Sequence, residues 1–334
     1  MAAIGASFFS LADLHKGSNP AIGATIELLT QLNPIMEDAV TVECNMGTVH
    51  RHSIRTGLPS VAWGKLYQGV AQSKSSKQQV DDTTGFIEGL SSIDKRLLDL
   101  ATAANQSEAE VRLGEARAYL EAMSQEFATS FFYADTATTP EKFKGLGARY
   151  NLSTGPIGNQ VVKAGGSGSD NTSIWFVTWS PDHTMLLHPQ GTAGGVTRED
   201  KGEQRILDGS SNPYYVKEEL FTQHTGVAVK DWRYNARVCN IDVSDLRAGT
   251  VDIYDYLRTA FYRLQARRVP GGKQVIYMNR DVLECLDRLG SNSGSSDNFV
   301  RLTPMEVEGK EVMSYRGIPI REVDAIVNTE TLVS

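Results

Sequence analysis

The stretch from Arg55 to Leu90 limits what this chain can fold into more than any other part. It opens with Arg55-Thr56-Gly57-Leu58-Pro59, runs on through glycines and serines, and carries few large apolar residues. Its cations are Lys65, Lys74 and Lys77, and its acids are the pair Asp81-Asp82. It alternates poorly and would bury little of itself. A structureless insertion of this length is uncommon inside a compact domain. A long two-stranded loop reaching onto a neighbouring molecule resolves the conflict. Trp63 and Tyr67 point the same way, because a lone chain offers little to bury them against in so polar a loop. Aromatic anchors on loops favour contacts between molecules, although isolated exposed aromatics also occur. Trp63, Lys65, Tyr67, Lys74, Lys77, Asp81 and Asp82 are the candidate contact residues.

The rest reads as an α+β chain. Residues 1–35 have the look of an arm, with two short apolar stretches broken by Lys16-Gly17-Ser18-Asn19-Pro20. The second stretch, Ala21 to Leu32, has helical spacing (Ile22, Ile26, Leu29) and stops at Asn33-Pro34. Ala39 to Ile54 is β-branched and extended. A helix is expected from Ser92 to Ala103. The most regular element follows: Ser107-Glu108-Ala109-Glu110 is a capping box. Leu113, Ala116, Leu120, Met123, Phe127 and Phe131 then recur every three or four residues. This helix should run to Tyr133, roughly 40 Å at 1.5 Å per residue. That length suits an element spanning a flat, plate-like molecule.

Ala164 to Thr172 predicts a surface loop. Strands are expected at Ile174 to Trp179 and Met185 to His188. Tyr214 to Gln223 and Val227 to Ile241 read as a long hairpin turning at Thr225-Gly226. Asp252 to Arg267 is helical and ends before Pro270-Gly271-Gly272. Gln274 to Tyr277 is a short buried strand. Asn279 caps a helix through Leu289, with Gly290 at its C′ position. After a turn at Ser291 to Asp297, two strands flank Gly317. No repeat of 20–50 residues is present.

Chemistry is harder to find. His50-Arg51-His52 puts two imidazoles on one face of a strand without an evident third ligand, so solvated or interface histidines are the better reading. His183 and His188 sit around a hairpin with no carboxylate pattern. Asp81-Asp82 in a polar loop reads as solvated charge before acid–base machinery. The glycines at 165, 166 and 168 and the turn Gly271-Gly272-Lys273 fit neither GxxxxGK[ST] nor GxGxxG, and neither GxSxG nor HExxH occurs. Trp175, Trp179 and Trp232 are placed in strands, with sheet-face roles. The three cysteines, Cys44, Cys239 and Cys285, lack CxxC or paired spacing and read as small buried hydrophobes in a reducing compartment. Catalytic, cofactor and metal sites are therefore expected to be absent.

The length of 334 residues suits one large or two ordinary domains. A net charge of −7 disfavours tight non-specific binding to nucleic acid. No apolar run approaches the roughly 20 residues that span a bilayer. Met1 to Ala12 lacks a basic n-region and a cleavage site, so no signal peptide is expected.

Several segments, taken together, resemble the major capsid proteins of short-tailed bacteriophages. They are Glu27 to Ala39, Val49-His50-Arg51, Arg55 through Trp63, Gln79-Val80-Asp81-Asp82, Ile93-Asp94-Lys95 and Phe131-Phe132-Tyr133. Phe143-Lys144-Gly145-Leu146, Arg149-Tyr150-Asn151 and Val229 through Tyr234 belong to the same set. The similarity covers nearly the whole chain. No single piece is a chemical signature, but the ordered set is specific.

The resemblance implies the shell-subunit fold shared by tailed-phage capsids, herpesvirus capsid floors and encapsulins. Residues 1–35 would be the N-terminal arm and 55–90 the extended loop. Residues 36–54 and 91–245 would form the peripheral domain, with a spine helix at 107–133 and long strands at 214–241. Residues 246–334 would form the axial domain. In many members a block like Val275 to Asp281 followed by Gly317 to Ile320 precedes the long strands. Here it follows them, which implies a permuted element order. No coiled-coil-like N-terminal extension is evident, so a separate scaffolding protein is implied.

The implied function is self-assembly of hexameric and pentameric capsomers into an icosahedral shell around a double-stranded DNA genome, in the host bacterial cytoplasm. A portal protein would join it and a cementing protein is optional. DNA would be enclosed without sequence-specific contact. Many modest contacts would act together, and maturation would rearrange them around a rigid core. An encapsulin-like nanocompartment shell, a soluble α+β enzyme and a tail or baseplate component are the alternatives.

Overall fold

The computed structural model describes residues 31–103, 107–267, 269, 271–291, 303–307 and 310–334. Residues 1–30 of the expected arm and residues 292–297 of the expected turn lie outside them.

In chain order the elements begin with α1 (Ile35–Asp38), β1 (Thr41–Glu43), β2 (Val49–Gly57), β3 (Ser76–Asp94), α2 (Lys95–Ala103) and α3 (Glu108–Tyr133). Then come α4 (Leu146–Arg149), α5 (Gly155–Gly158), β4 (Val161–Lys163), β5 (Asn171–Trp179), β6 (Thr184–His188), β7 (Gly195–Leu207) and β8 (Pro213–Val229). A 3-10 turn at Trp232–Tyr234 leads to β9 (Ala236–Asp242), α6 (Val243–Ala248), α7 (Ile253–Arg263) and β10 (Lys273–Met278). The last elements are α8 (Arg280–Ser291), β11 (Thr303–Val307), β12 (Lys310–Tyr315) and β13 (Ile318–Glu322). The α+β class is as the sequence predicts.

One sheet organises the body, with strand order β11-β12-β13-β10-β5-β6-β8-β3-β2 and β1, β4, β7 and β9 paired off that path. β5 lies at its centre, antiparallel to β10 on one side and to β9 on the other. Its residues alternate between two cores, as a strand's period of two requires. Trp175, Val177 and Trp179 face Phe127, Phe131 and Phe132 of α3, with Tyr150 and Tyr277 beside them. Ile174 and Phe176 face the opposite way, towards Leu246, Leu257, Phe261, Val282 and Leu286 on α6–α8. Each such large side chain contributes about 1.5–3 kcal/mol by leaving water.

The capping box at the start of α3 is present: the Glu110 amide donates to Ser107 Oγ at 3.2 Å and the Ser107 amide to Glu110 Oε2 at 2.9 Å. The helix has 26 residues, a length of roughly 39 Å. Its apolar stripe divides. Phe127 and Phe131 are fully buried, Ala116 and Met123 pack on Phe221 of β8, and Leu113 and Leu120 stay exposed.

Several expected boundaries move. α2 begins at Lys95, because β3 continues through Asp94. The hairpin expected at Thr225-Gly226 is not formed: β8 runs straight through both residues, and β9 pairs with β4 and β5 instead. The long hairpin is β7–β8, turning at 208–212. Trp232 lies in the 3-10 turn and not in a strand. α7 ends at Arg263, and α8 passes through Gly290 to Ser291. The loop expected up to Thr172 is shorter, since Asn171 and Thr172 are buried in β5. The strands flanking Gly317 are β12 and β13, joined by Arg316 and Gly317, both with positive φ.

Candidate functional site

The polar stretch at 55–90 does not fold as one unit: a two-stranded ribbon begins before Arg55, residues 58–75 are irregular, and Thr84 to Leu90 belong to the body sheet. β2 and the first part of β3 pair antiparallel from Val49↔Thr83 out to Gly57↔Ser76. From Thr84 onward β3 pairs with β8 instead, down to Asp94↔Val216. One 19-residue strand is thus half free-standing ribbon and half body sheet. The change of partner between Thr83 and Thr84 marks the ribbon's root. Gly85 sits just inside it, and a Cβ there would lie 2.7 Å from the Glu141 carbonyl oxygen. Only glycine lets the strand come so close to that backbone.

Beyond the ribbon, residues 58–75 form no regular secondary structure. Trp63 is 96% exposed and Tyr67 fully exposed, and Leu58, Val61, Leu66 and Val70 join them in the same loop. Burying six such side chains on a partner would release on the order of 10 kcal/mol before ordering costs. Lys74 and Lys77 are also exposed, with Lys77 opposite Arg55 in the ribbon register. Lys65 lies in the exposed loop, its carbonyl accepting the Gln68 amide. Tyr67 holds φ 60, a left-handed conformation unusual for an aromatic residue.

The acid pair separates. Asp81 lies at the surface opposite Arg51, which donates to it twice at 2.7 Å, and this pairing holds the Asp81 carboxyl below its usual range. Asp82 corrects the expectation of solvated charge. It is 3% exposed and accepts from Arg149 Nη2 of α4 at 2.6 Å. Successive residues of a strand face opposite sides, so Asp82 points into the body where Asp81 points out. His50 and His52 share the Asp82 side, His50 buried and His52 half-buried, and neither is freely solvated. Sequence reasoning missed Arg149, which lies 67 positions from Asp82 and carries no local signal.

Two further buried ion networks were also missed. Asp38, at the end of α1, lies against Lys273 Nζ at 2.7 Å, Arg321 Nη2 at 3.2 Å and the Tyr277 hydroxyl at 3.0 Å. The Leu32 amide donates to Asp324 Oδ2, and the Asp324 amide donates back to the Leu32 carbonyl. Together these fix where the chain preceding α1 joins the body. Arg237 donates to Glu330 at 2.8 Å, to Ser173 Oγ and to the Tyr150 carbonyl, and its guanidinium lies over the Trp175 ring. Arg237 and Glu330 line a cleft of about 350 Å³. Both are engaged in holding the segment 327–334 to the sheet. Burial and the Glu330 carboxylate raise the Tyr133 hydroxyl well above its usual range.

The remaining sequence candidates have structural surroundings. His183 stacks on Tyr234 at 3.8 Å between ring centroids. All three cysteines are free and buried. Arg263 donates to the Val161 carbonyl and Arg267 to the Tyr262 carbonyl, near the C-terminus of α7 where its dipole favours cations. Among the described residues, no group of three or more His, Cys, Asp or Glu is arranged to hold a metal, and no helix is long and apolar enough to cross a membrane.

Comparison with known proteins gives this geometry a context. No curated protein sequence matches the chain. A chain in the structure of bacteriophage Epsilon15 is 30% identical, with a TM-score of 0.79 over 100% of this chain and 99% of that one. The capsid of bacteriophage JBD30 shares the fold at 6% identity, with a TM-score of 0.51 over 92% of this chain and 97% of the other. The family model described as "Major capsid protein GP7" matches residues 17–334. A projecting ribbon tipped with uncovered apolar side chains thus sits in a chain that belongs to the major capsid protein GP7 family.

Proposed function

We propose that this chain is the building unit of an icosahedral shell that encloses a phage's double-stranded DNA, and that it carries no catalytic activity of its own. The observation behind this reading is the loop at 58–75. It exposes Trp63, Tyr67 and four aliphatic side chains, while the root of its ribbon is held by the buried Asp82–Arg149 pair. A monomer would leave that surface in water, and a copy of the same chain lying under the ribbon would cover it.

In this reading Trp63, Lys65, Tyr67, Lys74 and Lys77 contact a neighbouring subunit, with the aromatics as anchors and the lysines at the rim. Asp81, exposed beside Arg51, joins that rim, while Asp82, buried against Arg149, supports the contact from within. Residues 1–35 act as an arm and 55–90 as the extended loop. Residues 36–54 with 91–245 form the peripheral body, and 246–334 the axial part, which shares the central sheet through the pairing of β10 with β5. Hexamers and pentamers of the chain make up the shell. A separate scaffolding protein guides its closure in the host cytoplasm, a portal protein occupies one vertex, and a cementing protein is an optional addition. The acidic surface keeps packaged DNA from adhering to the wall.

Negative-stain electron microscopy of the chain expressed with its neighbouring genes tests the reading. Closed particles containing DNA support it. Particles filled with a cargo enzyme would favour a nanocompartment shell, and a small oligomer with no particles would refute both.

A further inference from the structure

Beneath the root of the ribbon, beside the Asp82–Arg149 pair, lie two histidines that the assembly reading does not use. His50 and His52 project from one face of β2, with ring centroids 6.4 Å apart. His50 stands directly opposite Asp82 in the strand register, one pair short of the point where β3 leaves β2 for β8. His52 Nδ1 is 3.9 Å from Asp82 Oδ2, too far for a hydrogen bond. His50 Nδ1, both ring nitrogens of His52 and Asp82 Oδ2 make no hydrogen bond in the structure.

The charges facing the two rings come from every element packed there. β3 supplies Asp82 and, more distantly, Asp81; α4 supplies Arg149; and the segment after β8 supplies Lys230. The Asp82 carboxylate is already engaged by Arg149, which also donates to the Val227 carbonyl at 3.0 Å. A proton added to either imidazole therefore enters a largely buried site beside Lys230, and at His52 also beside Arg149, where the one close carboxylate is already paired. Burial is the largest influence on both rings. Lys230 and the second imidazole add to it at His50, while Lys230 and Arg149 oppose the pull of Asp82 at His52. Both are held below the ordinary histidine value.

We propose that His50 and His52 form an acid-sensitive latch at the root of the ribbon. When both are neutral, β2 rests on the body; when either is protonated, the ribbon swings free while the central sheet stays folded. The sign follows from proton linkage. The folded chain holds both imidazoles below the 6.5 of an unperturbed histidine, so docking is fully favoured above that pH and is lost progressively as the pH falls below it. The latch belongs to the single chain, and only its use in rearranging a shell rests on the proposed function.

Hydrogen exchange read by mass spectrometry tests it, on the full chain kept too dilute to assemble. Rates are corrected for the intrinsic effect of pH. Between about pH 7.5 and about pH 5, amides in 49–57 and 76–83 should lose protection about tenfold or more, as a segment that opens locally does. Amides of β5 and β10 should not change. The double variant His50→Gln/His52→Gln should remove the difference. A ribbon whose protection ignores pH overturns the latch, as does equal loss in the double variant or loss shared with β5 and β10. Should the double variant not fold, the wild-type imidazole resonances decide: titration below 6.5 supports the latch, and titration at or above that value overturns it. Because no assembled particle enters the measurement, failure of the latch leaves the shell reading untouched, and failure of the shell reading leaves the latch testable.

Discussion

Arg149 and Asp82 meet at 2.6 Å across the root of the ribbon, and the same Arg149 nitrogen also holds the Val227 carbonyl of β8. A four-residue helix thereby ties together β3 and β8 near the point where β3 changes partners. The pair is nearly dry, with the two side chains 13% and 3% exposed. Removing one member of such a pair strands the other charge without solvent or partner.

Arg149→Met should therefore destabilise the chain by about 3–5 kcal/mol, read as a lower urea midpoint with an unchanged slope. Adding Asp82→Leu removes the stranded carboxylate and should recover a large part of that loss. A cost below about 1 kcal/mol for the single variant would mean that the pair does not secure the ribbon.

Trp63→Ser with Tyr67→Ser should separate assembly from stability. Both side chains lie in water in the lone chain, so thermal unfolding of the subunit should shift by no more than the ±0.5 kcal/mol usual for surface sites. Assembly, followed by sedimentation, should fail or need a much higher protein concentration, because the central anchors of an interface carry most of its energy. Lys65→Ala, Lys74→Ala and Lys77→Ala should weaken assembly far less and mainly change its salt dependence. If the aromatic variant assembles normally, the loop is not the contact.

Asp38→Asn should loosen the junction between the chain preceding α1 and the body. Lys273 and Arg321 both face the Asp38 carboxylate, whose side chain is fully buried. Losing the charge leaves two cations beside a neutral amide, at a cost of about 3 kcal/mol. Limited proteolysis offers the check: cleavage near residues 31–38 should speed up while β5 and β10 remain protected. Unchanged cleavage would count against Asp38 as the anchor.

How much of this was legible in the sequence depended on whether the signal was local. The capping box at Ser107 and Glu110 announced α3, and Asn279 announced α8, because caps involve neighbours in sequence. β10 was visible as a short apolar run, and β12 and β13 as the segments on either side of Gly317. The hairpin failed for a physical reason. Thr225-Gly226 resembles a turn, yet Gly226 serves a close strand approach, where a Cβ would lie 2.9 Å from the Thr83 carbonyl oxygen. β7 was missed because nearly all its residues are exposed, which leaves no apolar period to detect. The exposure of Trp63 and Tyr67 was readable, since aromatics in a polar stretch stand out. The buried partners of Asp82, Asp38 and Glu330 were not, because each pairing joins residues far apart in sequence and leaves no pattern in either segment.

Glu330 gives the last prediction, and it tests a different region. Its carboxylate accepts from Arg237 and from the hydroxyls of Ser173 and Tyr133, so α3, β5 and β9 all converge on it. Three residues further on, Asn240 of β9 accepts from the Val333 amide and donates to the Val333 carbonyl. Arg237 is 6% exposed at the side chain and lies over Trp175 in the central core. Glu330→Gln keeps the shape and can still accept from a hydroxyl, but leaves the guanidinium without its counter-charge. The expected cost is about 3–5 kcal/mol. The loss should appear first as faster hydrogen exchange in β9 and the segment 327–334, because these meet at the broken contact. Arg237→Met with Glu330→Gln should be milder than Glu330→Gln alone, since the uncompensated charge is then gone. A double variant no more stable than the single one would show that Glu330 acts through its hydroxyl contacts and not through Arg237.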